Sequence, residues 1–146
     1  MRTGRVTVDV IAHPVTALAA TRAGDALLAT CLDSTLRLMD RADGRLLQAF
    51  RAPGIFVNET YRVRCALGMG DSVVICGSET GEVIVWDLLD GKVKHRLWHS
   101  EEFAGRSGDE KMKKKTVISA VAFCGSRKEW CSAGGNGEVA VFGLKE

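Results

Sequence analysis

The sequence predicts an all-β fold made of three antiparallel sheets in series, and three observations lead to this prediction. First, the phrase GSETGEVIVWD at residues 77–87 has related copies at residues 31–40 (CLDSTLRLMD) and 133–143 (AGGNGEVAVFG). Second, each copy places a turn rich in small and polar residues before a β-branched and aromatic run, which is typical of a strand. Third, turn signals recur at intervals of about eight to twelve residues. Three copies of one unit indicate a repeat protein.

The first unit is predicted to be a four-stranded meander, because four apolar runs alternate with turn signals that contain Gly, Asp or Ser. The predicted strands are residues 15–20, 26–30, 35–39 and 46–50. Before them, residues 6–11 (VTVDVI) are β-branched except for Asp9, and His13 and Pro14 end the run. We expect a strand here too, left over from an earlier unit.

The second and third units repeat this order, but the third unit lacks its fourth strand. The runs VVIC and VIVW in the second unit are continuously apolar, which predicts strands covered on both faces. The predicted strands are residues 61–67, 73–76, 82–86 and 93–98, followed by 117–123, 129–132 and 138–142.

The spacing of the repeats indicates an insertion. Asp33 precedes Thr80 by 47 residues, and Thr80 precedes Asn136 by 56. The additional length lies at residues 99–115 (HSEEFAGRSGDEKMKKK), which are polar and have no apolar period. This composition predicts an inserted, mobile loop.

Composition limits the class of protein. A chain of 146 residues with 46% hydrophobic composition is long enough for one domain with its own core. The net charge of +2 is too small to indicate nucleic acid or an acidic membrane as partner. Neither a signal peptide nor a membrane helix is predicted, because charged and polar residues interrupt every apolar run. None of the five cysteines has the two-residue spacing of a zinc or redox motif, so buried, reduced thiols in an intracellular protein are expected.

The end of the central run carries a family resemblance. Trp86 and Asp87 form a Trp-Asp pair there, and degenerate pairs end the other two copies at residues 39–40 and 142–143. From about residue 6 to residue 144 the chain therefore resembles the WD-repeat family. The resemblance implies a WD40-type β-propeller of four-stranded antiparallel blades that serves as a platform for protein partners. The implied domain is a single partial propeller, residues 1–146, with blades at 12–52, 59–99 and 116–146 and an inserted loop at 99–115.

A narrower resemblance covers two longer runs. Residues 33–50 (DSTLRLMDRADGRLLQAF) and 61–92 (YRVRCALGMGDSVVICGSETGEVIVWDLLDGK) are similar to the last three blades of the mitogen-activated protein kinase organizer proteins. This resemblance implies a role in assembling a kinase cascade and an association with the pre-mRNA splicing machinery. It also implies a cytoplasmic or nuclear location.

Many blades of this family contain a buried hydrogen-bonded network of a histidine, a serine or threonine, a turn aspartate and the tryptophan. In the first unit, the resemblance implies that His13, Thr30 and Asp33 form most of such a network. Met39 stands in the tryptophan position and has no indole donor.

The other two networks are incomplete as well. The second unit keeps Trp86 but has Thr80 in the place of the aspartate, and the third has Ser132, Asn136 and Phe142. Blade stability is therefore expected to depend more on packing than on buried polar bonds.

Three blades alone are expected to leave two broad apolar faces and unpaired strand edges. The additional first strand and the absent last strand match the way propellers of this family close. This predicts the C-terminal part of a longer propeller, a truncated gene product, or a protomer that closes against another copy, and of these we expect the fragment of a longer propeller. Either a missing N-terminal half or self-association is needed to complete the ring.

No catalytic, cofactor or metal site is predicted. The glycine-bearing turns GSETGE and AGGNGE lack the lysine and helix start of a phosphate-binding loop. His95 and His99 have a helical zinc spacing, but residues 93–98 are a predicted strand, and in its extended backbone the two histidines would share a face about 13 Å apart. No nucleophile elbow or pair of catalytic carboxylates is indicated.

The lysine cluster Lys111, Lys113, Lys114 and Lys115 is either a solvated loop flank, a nuclear-import patch, or a contact to RNA or to an acidic protein.

The sequence thus predicts a non-catalytic scaffold that binds other proteins, with RNA contact through the lysine loop as the alternative. In propellers of this family, the turns between the second and third strands and the loops between blades share one face. Protein contacts are expected on that face at residues 51–60 and 99–115 and at the following positions: Asp33, Glu79, Thr80, Asn136, Lys113, Lys114 and Lys115.

Overall fold

A computed structural model describes residue 4, residues 6–99 and residues 116–143. Those residues form strands and turns without a helix, so the all-β prediction is confirmed. The strands are β1 (Val15–Ala20), β2 (Ala26–Cys31), β3 (Thr35–Asp40), β4 (Leu46–Phe50), β5 (Cys65–Gly68), β6 (Val73–Gly77), β7 (Glu82–Asp87), β8 (Val93–Trp98), β9 (Ile118–Cys124), β10 (Glu129–Gly134) and β11 (Val139–Gly143).

The strands form three separate antiparallel sheets in chain order. Blade 1 is β1-β2-β3-β4, blade 2 is β5-β6-β7-β8, and blade 3 is β9-β10-β11. Because consecutive strands alternate in direction, the turns β2–β3, β6–β7 and β10–β11 lie at one end of the blades, and we call them the upper turns. The lower turns, β1–β2, β5–β6 and β9–β10, lie at the opposite end.

The first strands of neighbouring blades lie side by side. Thr16 Oγ1 is 3.4 Å from the carbonyl oxygen of Val63, just before β5. The backbone N–H of Arg64 donates to the carbonyl of Ser119 on β9 at 3.0 Å. These contacts place the first strands on a common inner side, which is the arrangement of a partial WD40-type propeller.

One core lies between blades 1 and 2. Trp86 is fully buried there, with ring centroids 6.4 Å from Phe50 and 5.2 Å from Phe56. Phe56 belongs to the linker between the two blades, so the core includes the linker as well as both sheets. The other fully buried aliphatic residues of this core are Leu28, Leu36, Val63, Val74 and Ile84.

A second core lies between blades 2 and 3. Val73, Ile75, Val83 and Val85 face away from blade 1 and pack with Ile118 of β9. Blade 2 is therefore covered on both faces, which explains the continuous apolar runs VVIC in β6 and VIVW in β7.

Blades 2 and 3 approach most closely at Gly77. A Cβ atom there would collide with the carbonyl oxygen of Ile118. The backbone N–H of Ile118 donates to the carbonyl of Ser78 at 3.1 Å. Only glycine allows the two backbones to lie this close together.

The strand predicted at residues 6–11 is wrong. The structure assigns no strand there, and Val6, Val8 and Val10 are exposed. β-branched residues favour an extended backbone, but a strand also needs a neighbour for its backbone hydrogen bonds. No described strand pairs with this segment.

The prediction for β5 is partly wrong. A strand is expected at residues 61–67, whereas β5 begins at Cys65. Tyr61 and Arg62 lie in an exposed bend before it. The other strands agree with the predicted ones to within two residues at each end.

The outward faces of blades 1 and 3 are apolar and exposed in the described part of the chain. Leu18 on β1 is 65% exposed, and Val139 and Val141 on β11 are 69% and 70% exposed. The third blade ends at β11, so its last described edge has no strand beside it. The described residues contain no helix long and apolar enough to cross a membrane.

Candidate protein-interaction surface

The predicted contact residues of the upper turns mostly stabilise the turns themselves. Asp33 forms a two-pronged ion pair with Arg37, at 3.0 and 2.6 Å, and His13 Nε2 lies 3.6 Å from its carboxylate. The hydrogen bond from Arg37 is the main cause that lowers the pKa of Asp33. The Asp33 carboxylate therefore stays charged and fixes the first upper turn.

The structure brings His13 and Asp33 together, but it does not bring Thr30 to them. The Thr30 hydroxyl is buried and makes no hydrogen bond to His13 or Asp33. In blade 3, Gly134 and Glu138 form the backbone pair that closes the upper turn, and Ser132 lies two residues before Gly134. In blade 1 the closing pair is Cys31 and Thr35, so the position equivalent to Ser132 is Ala29. Placing Thr30 in the blade 1 network is therefore a correction: the register puts an alanine where the hydroxyl belongs.

Glu79 holds the linker between blades 1 and 2. Its Oε1 atom accepts hydrogen bonds from three consecutive backbone N–H groups, those of Glu59, Thr60 and Tyr61, at 2.8, 2.7 and 2.9 Å. Three donors on one carboxylate oxygen fix the backbone of the segment. Glu79 is thus a clamp on residues 59–61.

The side chain of Thr80 also forms hydrogen bonds within the protein, to the linker and to Ser78. Its Oγ1 atom lies 2.9 Å from Ser78 Oγ and 3.3 Å from the carbonyl oxygen of Ile55. Ser78 Oγ also accepts the backbone N–H of Val57 at 3.0 Å. Thr80 and Ser78 together attach the middle of the linker to the second upper turn.

The third upper turn is bound by a histidine from blade 2, His99, which directly follows β8. His99 is buried, its Nδ1 atom is 2.7 Å from Ser132 Oγ, and its Nε2 atom is 3.2 Å from the carbonyl oxygen of Glu138. Since a carbonyl only accepts, Nε2 carries the proton and Nδ1 accepts from the serine. Asn136 Oδ1 accepts the backbone N–H of Glu138 at 3.1 Å.

From the sequence, His99 is weighed only as a metal ligand with His95, and no network role is predicted for it. The signal was present: His99 precedes the third unit as His13 precedes the first, once the inserted loop is set aside. The insertion concealed this correspondence.

Trp86 and Asp87, the Trp-Asp pair of blade 2, bind the linker after blade 1 and stabilise the β7–β8 turn. Trp86 Nε1 donates to the carbonyl oxygen of Arg51 at 3.4 Å. Asp87 binds Lys94 at 2.7 Å and accepts the N–H of Leu89 at 2.9 Å, and the hydrogen bond from Lys94 is the main cause that lowers the pKa of Asp87. In blade 3, Phe142 packs on Trp130 at a centroid distance of 5.2 Å.

The clamped segment has exposed side chains at this end of the molecule. Tyr61 is 55% exposed, and Arg62 and Glu59 are also exposed. We call Glu59, Thr60, Tyr61 and Arg62 the upper surface. The sequence prediction missed Tyr61 and Arg62 because it placed them inside a strand. Lys111, Lys113, Lys114 and Lys115 lie outside the described residues.

The described residues show no grouping of three or more His, Cys, Asp or Glu side chains that would hold a metal ion. Cys31, Cys65 and Cys76 are buried free thiols, and burial raises the pKa of Cys76 well above its ordinary value. Cys124 is exposed and Cys131 is half-buried, so the expectation of buried thiols holds for only part of the set.

No family model matches the chain. Curated relatives do match it. WD repeat domain-containing protein 83 of Rattus norvegicus is 38% identical over 93 residues, which are 64% of this chain and 29% of the relative. The protein of the same name from Homo sapiens is 36% identical over 91 residues, 62% of this chain and 28% of the relative. An uncharacterized WD repeat-containing protein of Schizosaccharomyces pombe is 31% identical over 88 residues, which are 60% of this chain and 29% of the relative.

The chain thus spans less than a third of the length of these curated relatives. Among solved structures, U3-55K superposes with a TM-score of 0.70 at 14% identity, over 93% of this chain and 38% of that chain. This likeness shows the fold. The predicted resemblance to WD-repeat proteins is confirmed, whereas the narrower resemblance to the kinase organizer proteins stays a prediction.

Proposed function

Because the chain is a WD-repeat chain with the fold of a partial β-propeller, we propose that it is a non-catalytic scaffold that binds partner proteins through its upper surface. WD-repeat relatives support a protein-interaction scaffold at the level of the family. The hydrogen bonds from residues 59–61 to Glu79 support the upper surface as the place where partners bind. A backbone fixed before binding loses little conformational freedom when a partner docks.

The chemistry of the upper surface also supports this proposal. Tyr and Arg are enriched where a few residues carry most of the energy of a protein interface. Tyr61 offers a broad, partly exposed ring, and Arg62 next to it offers planar hydrogen-bond donors. The upper turns themselves hold their polar side chains in internal bonds, so they act as a frame.

The test is affinity purification of the tagged chain from cells after cross-linking, with each partner quantified by mass spectrometry. Tyr61→Ala and Arg62→Ala are expected to lower the recovery of at least one protein about tenfold each. Leu89→Ala is the control, because Leu89 is 84% exposed on the β7–β8 turn and lies outside the upper surface. Partner recovery that is the same for all three variants would exclude the upper surface.

The finer identity of the partners follows from the sequence resemblance alone. We propose components of a kinase cascade or of the splicing machinery, met in the cytoplasm or the nucleus. RNA contact through the lysine cluster is the alternative, favoured by four lysines within residues 111–115. Filter binding separates the two: loss of salt-dependent RNA retention when all four lysines become glutamine would favour RNA.

A further inference from the structure

A cleft lies at the end of the blades opposite the upper surface, where the lower turns of all three blades meet. Its volume is about 640 Å³. Arg22 comes from the β1–β2 turn, residues 67–71 from the end of β5 and the turn after it, and Phe123 with residues 125, 126 and 128 from β9 and the β9–β10 turn. None of these residues belongs to the proposed interaction surface.

The cleft has apolar walls and a cationic rim. Leu67, Met69 and Phe123 supply apolar side chains, and Met69 is 48% exposed. Arg22 and Lys128 are exposed, and neither side chain forms an ion pair or hydrogen bond with another described residue. Two unpaired cations therefore lie beside an apolar recess.

The one acidic residue that lines the cleft is already occupied. Asp71 Oδ2 accepts the backbone N–H of Arg22 at 2.7 Å, which joins the lower turns of blades 1 and 2. Asp71 keeps its negative charge in this bond and balances one of the two cations, Arg22 and Lys128, so the lining carries a net charge of +1. The rim is thus suited to an anionic ligand.

The backbone around the cleft is strained. Met69, Asp71 and Lys128 have φ angles of 51°, 65° and 53°, in the left-handed region that L-residues rarely adopt. Strain of this kind persists where surrounding contacts enforce it, and it concentrates at binding and catalytic sites.

We propose that this cleft binds an acidic peptide segment of a partner protein, with an apolar side chain against Leu67 and Phe123 and carboxylates facing Arg22 and Lys128. The volume accommodates several side chains, so a single inorganic anion would leave most of it unfilled. Apolar walls and a rim of only two cations favour a peptide with an apolar side chain over a nucleic acid, whose backbone presents a row of phosphates. The site goes beyond the scaffold function proposed above, because it is at the other end of the molecule and shares no residue with it.

Fluorescence anisotropy with the full chain tests the proposal. The probe is a labelled peptide, EEDLEED, and its comparison is EEDSEED, which lacks the apolar side chain. We expect Arg22→Glu and Lys128→Glu each to weaken EEDLEED binding about tenfold, and the leucine-to-serine change to weaken it about tenfold as well. Arg45→Glu and Lys92→Glu are matched controls on other exposed turns and are expected to stay within about twofold of the unchanged chain.

A second readout locates the peptide without any charge change. Cys124 is exposed next to the cleft, and its Sγ atom lies 3.3 Å from Ser126 Oγ. In a Cys131→Ser background, bound EEDLEED is expected to slow the reaction of Cys124 with a maleimide. EEDSEED at the same concentration is expected to give less protection.

Several results would overturn the proposal. One is the absence of EEDLEED binding by the unchanged chain at low salt. Others are equal affinity for the two peptides, or an equal loss in the control and cleft variants, which would indicate general charge attraction. Circular dichroism of each variant shows whether it is folded. Tyr61→Ala should bind EEDLEED normally, so failure at the cleft leaves the upper surface unaffected.

Discussion

Replacing Trp86 is the sharpest test of how blades 1 and 2 are held together. The indole is fully buried, packs edge-on against Phe50 and Phe56, and donates to the carbonyl of Arg51. Trp86→Ala would remove all of these contacts and leave a cavity, at a cost of about 3–5 kcal/mol. Trp86→Phe keeps one ring and loses the N–H bond and part of the packing, about 1 kcal/mol each, so the expected cost is about 2 kcal/mol.

Urea unfolding followed by far-ultraviolet circular dichroism measures both costs, because the signal does not depend on the tryptophan that is removed. A domain of this kind has about 5–15 kcal/mol of stability, so Trp86→Ala would remove a large part of it. Trp98→Phe is the matched control: Trp98 is 43% exposed on β8, and its replacement should cost less than about 1 kcal/mol.

Hydrogen exchange adds a local readout. Trp86→Phe should speed amide exchange at Ile55 and Phe56, whose N–H groups bond to Ala52 at 3.0 and 2.8 Å in the linker. A loss of stability as large for Trp98→Phe as for Trp86→Phe would refute the claim that the indole connects two blades. So would unchanged exchange in the linker.

Three further predictions concern the linker, the first upper turn and the outward faces. Glu79→Ala should speed amide exchange at residues 59–61 and cost about 1–2 kcal/mol, whereas Glu79→Gln, which keeps an acceptor oxygen, should lose less; equal effects would contradict the clamp. Asp33→Asn should cost about 0.5–1 kcal/mol at neutral pH. Because Arg37 lowers the pKa of Asp33 below its usual value of 3.8, this difference in unfolding free energy is fully present above pH 3.8 and should shrink as the pH falls below that value; a difference that does not shrink at all below pH 3.8 would contradict the ion pair. The purified chain should self-associate in sedimentation velocity, and Val141→Glu should weaken the association; a monomer at every concentration would contradict exposed apolar faces.

Most of the fold was predictable because the strand signals are local. The bounds of β1, β4 and β8 follow from apolar runs between turn signals and agree with the prediction at both ends. The segment at residues 6–11 has an equally good local signal, but it has no partner strand. Pairing is a tertiary property, and composition does not report it.

The candidate site was only partly predictable for a different reason. The upper turns were located correctly in sequence, yet Glu79 and Thr80 stabilise the linker with their side chains and offer little to a partner. Tyr61 and Arg62 become available only because a distant carboxylate holds their backbone in a bend. Contacts separated by about twenty residues leave no periodic signal in the sequence.

The close approach at Gly77 has a geometric consequence. No side chain separates the backbones of blades 2 and 3 there, so the absence of a Cβ atom at residue 77 helps to set the wedge angle between these two sheets. That angle decides how many such sheets would make a full turn about the axis. A methyl group at this position would open the wedge, and the circumference of any ring built with these sheets would have to change with it.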